Sequence, residues 1–285
     1  MMARFEVAKL IDAFGAVISG LDLSHEFDDE TRSALRNVFY SRGALVFRDL
    51  DIAAVAQDRL CRMLCGENEG DAGRNNPKFV SNTEKDGAAP YGRLLFHADQ
   101  MWHPDPSRVL SLYGQKVEPG AATTSLASGV AAWQRLPAEL CARIENLEAL
   151  HVTGTVFSRG GDDLLRAHRT HDASIIKPVK VDHPRTGEPI LYVSQQTTRQ
   201  IVGLEPDQSE VLLQEIFSHL YAPDVVYEHV WHDGDLMVLD NLALQHARSN
   251  VELHGPQRTL RKVIAPLPIG VIEAPTFERT PHDAC

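Results

Sequence analysis

The order of apolar and polar positions divides the chain into short elements. Residues 28–42 (DDETRSALRNVFYSR) put acidic side chains in a first turn, carry an apolar stripe and run up to Gly43. That pattern predicts a helix with favourable charge at its start and a glycine stop. Ala44–Phe47 is a four-residue apolar run closed by Arg48 and Asp49, and it reads as a strand. Asp51–Cys65 reads as a second helix, with Asp51 as its N-cap and Gly66 as its stop. Pro206–Tyr221 reads as a third, starting on a first-turn proline and showing apolar residues at Leu212, Ile216 and Leu220. Val109–Val117, Ile190–Ser194 and Leu236–Leu239 read as short strands between turn signals. Scattered short strands with a few flanking helices predict a mainly β protein built on a sandwich or barrel.

Two stretches break this rhythm. Residues 67–93 are rich in Gly, Asn, Asp and Pro, and only Lys78–Ser81 has strand character. Residues 154–180 begin with GTVFSRGGDDLLRAHRTHD. Loops this long in a compact domain usually carry function, so both are candidate lids or substrate walls. No repeat or low-complexity linker marks a boundary, and residues 1–285 are expected to form one domain.

Charge narrows the partners. The chain has 28 Lys+Arg and 39 Asp+Glu, a formal net charge of −11. Binding nucleic acid needs clustered positive charge, so no nucleic-acid partner is expected, nor a basic membrane-surface role. No window approaches the ~18 apolar residues of a membrane span. The N-terminal stretch is interrupted by Asp12 and Asp22, unlike a secretory leader. The four cysteines, Cys61, Cys65, Cys141 and Cys285, form no disulfide framework. Cys61 and Cys65, four apart on the second helix, are read as buried reduced thiols, which points to the cytoplasm.

Thirteen histidines invite a search for metal spacing. His-x-Asp occurs at His97–Asp99 and at His103–Asp105. Residues i and i+2 of a strand share a side, so an imidazole and a carboxylate there can grip one ion. The first copy follows the apolar run Leu94–Phe96, whereas the second lies between two prolines and reads as loop. Alone, the pattern favours a solvated polar pair over a metal site. Downstream, Trp231–His246 offers a Gly-Asp turn, an apolar strand, an Asp240-Asn241 turn and a histidine, and Gln257–Ala265 then supplies Arg258, Arg261 and Lys262 without an acidic residue. Two histidines and a carboxylate leave open positions on a metal, as in non-haem Fe(II) oxygenases. A nearby arginine can hold a carboxylate through two parallel hydrogen bonds.

Six blocks in order make the sequence similar to the Fe(II)/2-oxoglutarate-dependent dioxygenases of the taurine dioxygenase and 2,4-dichlorophenoxyacetate dioxygenase family. They are Phe14–Ser24, Ala44–Arg48, Phe96–Asp99, Pro119–Trp133, Leu191–Ser194 with Ile201–Leu204, and Trp231–His246. The resemblance implies a double-stranded β-helix (jelly-roll, cupin-like) core with helices outside. It implies His97, Asp99 and His246 as catalytic iron ligands, Arg258 on the distal carboxylate of 2-oxoglutarate, and Thr124 assisting it. The implied reaction consumes O2 and 2-oxoglutarate, releases CO2 and succinate, and oxidises a C–H bond of a small organic substrate. Halogenating relatives lack the carboxylate at the position of Asp99, so its presence implies hydroxylation or a related oxidation. A homo-oligomer, dimer or tetramer, is also implied.

Substrate contacts are read the same way. Arg93 and Lys262 fall where the taurine enzyme contacts its substrate, which suits an anion. Thr197 stands where that enzyme has a substrate-facing Phe. Gln100, Trp102 and Phe157 complete the set, with Trp102 flanking the metal motif and Phe157 in the second loop. Arg159, Arg166, His168 and His171 of that loop are read as solvated rather than as ligands. Two other classes fit the motifs less fully: a cupin-like metal-dependent isomerase or epimerase, and a non-catalytic 2-oxoglutarate sensor.

Overall fold

A computed structural model describes residues 5–73, 77–165, 167–168, 173–252, 254–267 and 276–277. The strands begin with β1 (Glu6–Lys9), β2 (Ala16–Ser19), β3 (Ala44–Phe47), β4 (Lys78–Ser81), β5 (Gly92–His97) and β6 (Val109–Val117). Next come β7 (Thr124–Ser128), β8 (Glu148–Val152), β9 (Ala167–His168), β10 (Ser174–Pro178), β11 (Lys180–Asp182) and β12 (Pro189–Leu191). The last six are β13 (Thr198–Ile201), β14 (Val226–His229), β15 (Leu236–Asp240), β16 (Leu244–Val251), β17 (Arg258–Ala265) and β18 (Thr276–Phe277). The helices are α1 (Asp29–Arg42), α2 (Ala54–Cys65), α3 (Gly129–Arg135), α4 (Ala138–Ile144) and α5 (Pro206–Leu220).

Two sheets frame the site. The larger has the order β1-β2-β3-β15-β6-β17-β4, and the smaller β14-β7-β16-β5. Among the described strands β2 and β3 pair in parallel and the other pairs are antiparallel, with isolated parallel bridges at Val80–Ala88 and Arg93–Leu164. The alternation on β3 shows how the layers form. Ala44 and Val46 join Leu110, Leu112, Leu126, Met237, Leu239 and Leu260 in one cluster, while Leu45 and Phe47 join Leu35, Phe39, Leu60 and Leu64 of α1 and α2 in another. With both faces covered, all four residues are buried, and the strand reads as a continuous apolar run. A third cluster packs α3, α4 and α5 together, with Ile144, Leu213, Ile216 and Phe217 at its centre.

α1 starts on Asp28, whose side chain accepts from the Thr31 N–H at 2.8 Å, and stops at left-handed Gly43. α2 begins three residues later than the spacing predicts, at Ala54, with no side-chain cap. The cause is tertiary. Leu50 donates to Gly234 O and accepts from Tyr113 OH, and Ile52 O accepts from Arg261, which commits the backbone of Leu50 and Ile52 to bonds outside the helix. Cys61 and Cys65 are buried and free, and the Cys61 thiol donates to Ser111 Oγ. β12 stops at Leu191 instead of reaching Ser194, because the chain turns so that Thr198 Oγ1 can take the Ser194 N–H. Among the described residues no helix is long and apolar enough to cross a membrane.

Candidate metal centre

β5 and β16 are hydrogen-bonded neighbours, and their register puts His97 directly opposite His246. The two imidazole centroids lie 4.3 Å apart. β5 ends at His97, so Asp99 stands beyond the strand and not on its face, contrary to the strand argument from sequence. What returns its carboxylate to the histidines is a loop. Asp99 Oδ1 sits 3.8 Å from His97 Nε2 and 3.9 Å from His246 Nε2, and one donor atom from each residue falls within 4.8 Å of the others. Ligands bound about 2.1 Å from one ion lie up to about 4 Å apart, so the set suits a single ion.

The protonation states suit it as well. His97 Nδ1 is 2.8 Å from the Leu95 carbonyl, which can only accept. Nδ1 therefore carries the proton and Nε2 keeps its lone pair, the tautomer that a metal requires. Burial pushes both imidazoles toward the neutral form, His246 to about 3. Burial would raise Asp99, but the Lys262 ammonium and the two histidines outweigh it and hold the carboxyl below the usual range. Two neutral imidazoles and one carboxylate remain.

Asn241, in the turn between β15 and β16, holds the loop. Its Oδ1 accepts from the Asp99 N–H at 2.8 Å, and its Nδ2 donates to Asp99 O at 2.9 Å and to Ser107 O at 2.8 Å. Gln100, expected at the substrate, is also tied into the loop. It adopts a left-handed backbone (φ 62°), and its Oε1 accepts from the Ser107 N–H. The Asp240-Asn241 turn itself was legible; nothing in its sequence indicated that Asn241 reaches Asp99.

Arg258, the first residue of β17, is buried and crosses between the two sheets. Its Nη2 donates to Thr124 Oγ1 at 3.0 Å and its Nε to Ala122 O at 2.8 Å. Arg258 and Lys262 share a face of β17, and Lys262 Nζ contacts Asp99 Oδ2. Arg261 takes the opposite face, bonding Gln57 Oε1 and Ile52 O, and with Asp49, Asp51 and Asp233 it lines a separate surface cleft of about 450 Å³. The basic run therefore divides by strand alternation, and two of its three cations share the face whose Lys262 meets Asp99.

A third interior cation was missed. Arg248 lies two residues after His246 on β16, and its guanidinium donates to the carbonyls of Ala89, Tyr91 and Gly92. Burial pushes it down to about 10. Its only sequence signal was the i+2 spacing from the histidine.

Arg93 is engaged elsewhere: Asp163 holds it through Nε at 2.8 Å and Nη2 at 3.2 Å. The backbone joins the same contact, since Arg93 N–H donates to Asp163 O and Leu165 N–H to Arg93 O. Residues 163–165 thus dock beside the start of β5. Arg159, expected in solvent, is buried and bonds Glu210 and the carbonyls of Gln195 and Thr198. Thr197 is buried on Ser194 Oγ and Met101 Sδ. Trp102 meets His103 edge-on at 5.8 Å. The side chains of Phe157 and His168, and residues Arg166 and His171, lie outside what the structure describes.

Residues 6–264 match the sequence family described as "Taurine catabolism dioxygenase TauD, TfdA family". The chain belongs to the TauD/TfdA family. It is 28% identical to an (S)-phenoxypropionate/alpha-ketoglutarate-dioxygenase of Sphingobium herbicidovorans, over 86% of this chain and 90% of that one. It is 23% identical to the alpha-ketoglutarate-dependent 2,4-dichlorophenoxyacetate dioxygenase of Cupriavidus pinatubonensis, over 87% and 93%. A solved structure, AAD-2 in complex with Mn(II) and N-oxalylglycine, superposes with a TM-score of 0.76 at 25% identity, covering 91% of this chain and 96% of that one. A taurine dioxygenase from Burkholderia xenovorans shares the fold, with a TM-score of 0.75 at 22% identity over 92% and 90%. This TauD/TfdA chain is accordingly a jelly-roll enzyme of the 2-oxoglutarate-dependent dioxygenase class, working with a metal ion and a small-molecule substrate.

Proposed function

We propose that His97, Asp99 and His246 hold Fe(II) and that Arg258 and Thr124 hold the distal carboxylate of 2-oxoglutarate. One observation carries this reading. Two buried guanidiniums, Arg248 and Arg258, have no carboxylate partner among the described residues, only carbonyls and a hydroxyl. Burial, and then the charge of Arg248, bears on Arg258 and pushes it well below the usual arginine range. Arginine does not surrender its proton in a protein, so this interior asks for an anion. A dicarboxylate with one end at the metal ligands and the other at Arg258 meets that demand.

When bound, iron and 2-oxoglutarate supply the oxidising chemistry, with O2 consumed and succinate and CO2 released. The chain supplies placement. His97 is locked in the ligating tautomer by Leu95 O, Asp99 presents Oδ1, and Arg258 orients the cosubstrate from across the sheets. The two named relatives act on small organic acids, and we extend that class to this chain. Lys262, paired with Asp99, supports the extension by placing a cation within the site, while Arg93 pairs with Asp163 away from the metal ligands. Free buried thiols fit a cytoplasmic setting, and a homo-oligomer belongs to the same reading, to be checked by light scattering.

Purified protein given Fe(II), ascorbate and 2-oxoglutarate is expected to release succinate slowly without substrate, and to show the weak visible absorption of an Fe(II)–2-oxoglutarate complex under argon. Absence of both overturns the proposal.

A further inference from the structure

A threonine hydroxyl has one proton to give and two lone pairs to receive with. Thr124 Oγ1 receives two hydrogen bonds, from Arg258 Nη2 at 3.0 Å and from the indole Nε1 of Trp231 at 2.9 Å. Guanidinium and indole N–H groups can only donate, so the direction of both bonds is unambiguous. Both lone pairs are thereby filled. The proton of the same hydroxyl has no acceptor among the described residues, although Thr124 and Trp231 are only 2% and 3% exposed.

Trp231 is itself held in place. It follows β14 and packs in the cluster between the sheets with Leu126 and Leu260. His229 meets its ring edge-on at 4.5 Å, and that imidazole is fixed by Asp235 Oδ2 at 3.1 Å and Tyr227 OH at 3.2 Å. Asp235 is in turn bonded by Arg48 Nη1 at 2.6 Å. The indole N–H is therefore delivered to Thr124 by a rigid polar support and not by a mobile side chain.

We infer that Trp231 is a positioning residue for the cosubstrate: by filling the second lone pair of Thr124, it commits the hydroxyl to donate to the distal carboxylate of 2-oxoglutarate. The inference rests on the proposed role of Arg258 and Thr124 and adds to it a residue that touches no ligand. Without the indole N–H, the hydroxyl can rotate or take up water, and its alignment toward the carboxylate is lost. A well-placed hydrogen bond is worth enough to change affinity by about three- to tenfold.

The test measures binding by calorimetry on the full chain loaded with Mn(II), under argon. Two ligands are compared: 2-oxoglutarate, and 2-oxopentanoate, which has the same carbon chain without the distal carboxylate. Trp231→Phe is expected to weaken 2-oxoglutarate about three- to tenfold, leaving 2-oxopentanoate and Mn(II) unchanged. Thr124→Val is expected to weaken it similarly, and the double variant no further, since the two residues act through one bond. Replacing Trp231 by β-(3-benzothienyl)alanine keeps the ring shape without the N–H and serves if the Phe variant does not fold. Wild-type affinity in either Trp231 variant overturns the inference, and so does equal weakening of 2-oxopentanoate. A wild-type protein that binds both ligands equally shows instead that the distal-carboxylate reading itself is wrong.

Discussion

The side-chain amide of Asn241 closes a two-way bond with the backbone of Asp99, accepting its N–H at 2.8 Å and donating to its carbonyl at 2.9 Å. Asp99 lies past the end of β5, where no sheet ladder fixes it, and Asn241 begins the turn that leads into β16 and His246. A single amide thus sets the spacing between Asp99 and His246, the proposed ligands carried by different segments.

Asn241→Ala is expected to weaken Mn(II) binding about ten- to a hundredfold, the usual cost of removing an outer-shell support. It also leaves the Asp99 and Ser107 carbonyls without their donor, at a cost of about 1–3 kcal/mol in stability. Gln57→Ala is the control. Gln57 is equally buried but bonds Ser111 and Arg261, away from His97, Asp99 and His246. Paramagnetic resonance of free Mn(II) reads the affinity and urea unfolding reads the stability. If the Gln57 variant loses metal to the same degree, Asn241 has no specific role.

Gly92 opens β5 with φ 75°, and a Cβ there would stand 2.8 Å from Leu165 N and 3.0 Å from Asp163 O. Both obstacles are backbone, so they cannot rotate aside. Gly92→Ala is expected to undock residues 163–165, cost about 1–3 kcal/mol in stability and speed proteolytic cleavage near Asp163. Arg93→Ala removes only a half-exposed ion pair and is expected to change stability by less than about 1 kcal/mol. Limited proteolysis of both variants separates the two contributions.

His151 is buried on β8, with Nδ1 3.1 Å from Thr198 Oγ1 and Nε2 unpartnered among the described residues. Burial, and then the charge of Lys177, pushes it down to about 3. The unfolded chain takes up this proton near pH 6.5 and the folded chain does not, so below that pH the unfolded state binds more protons and stability falls. In the metal-free protein between pH 6 and 4, the wild type is expected to lose up to about 1.4 kcal/mol per pH unit more than His151→Gln. Equal slopes in urea titrations at pH 4, 5 and 6 would show that His151 is charged in the fold.

Much of this protein was already determined by short-range chemistry in the sequence. Asp28 and Gly43 bound α1 because capping depends on neighbouring residues, whereas His97, Asp99 and His246 were named as a set by the resemblance to the family, and the fold brings them together. Tertiary structure decided how they meet and what stands around them. Asn241 and Asp99 are 142 residues apart, and Trp231 and Thr124 are 107 apart, so no local pattern links them. The fates of Arg258, Arg261 and Lys262 were equally hidden. In sequence they are one basic run; on β17 they alternate, so Arg261 leaves for Gln57 while Arg258 turns to Thr124 and Lys262 to Asp99. A buried charge or hydroxyl takes its role from the partners that cross-strand register brings to it, and register is a property of the folded sheets.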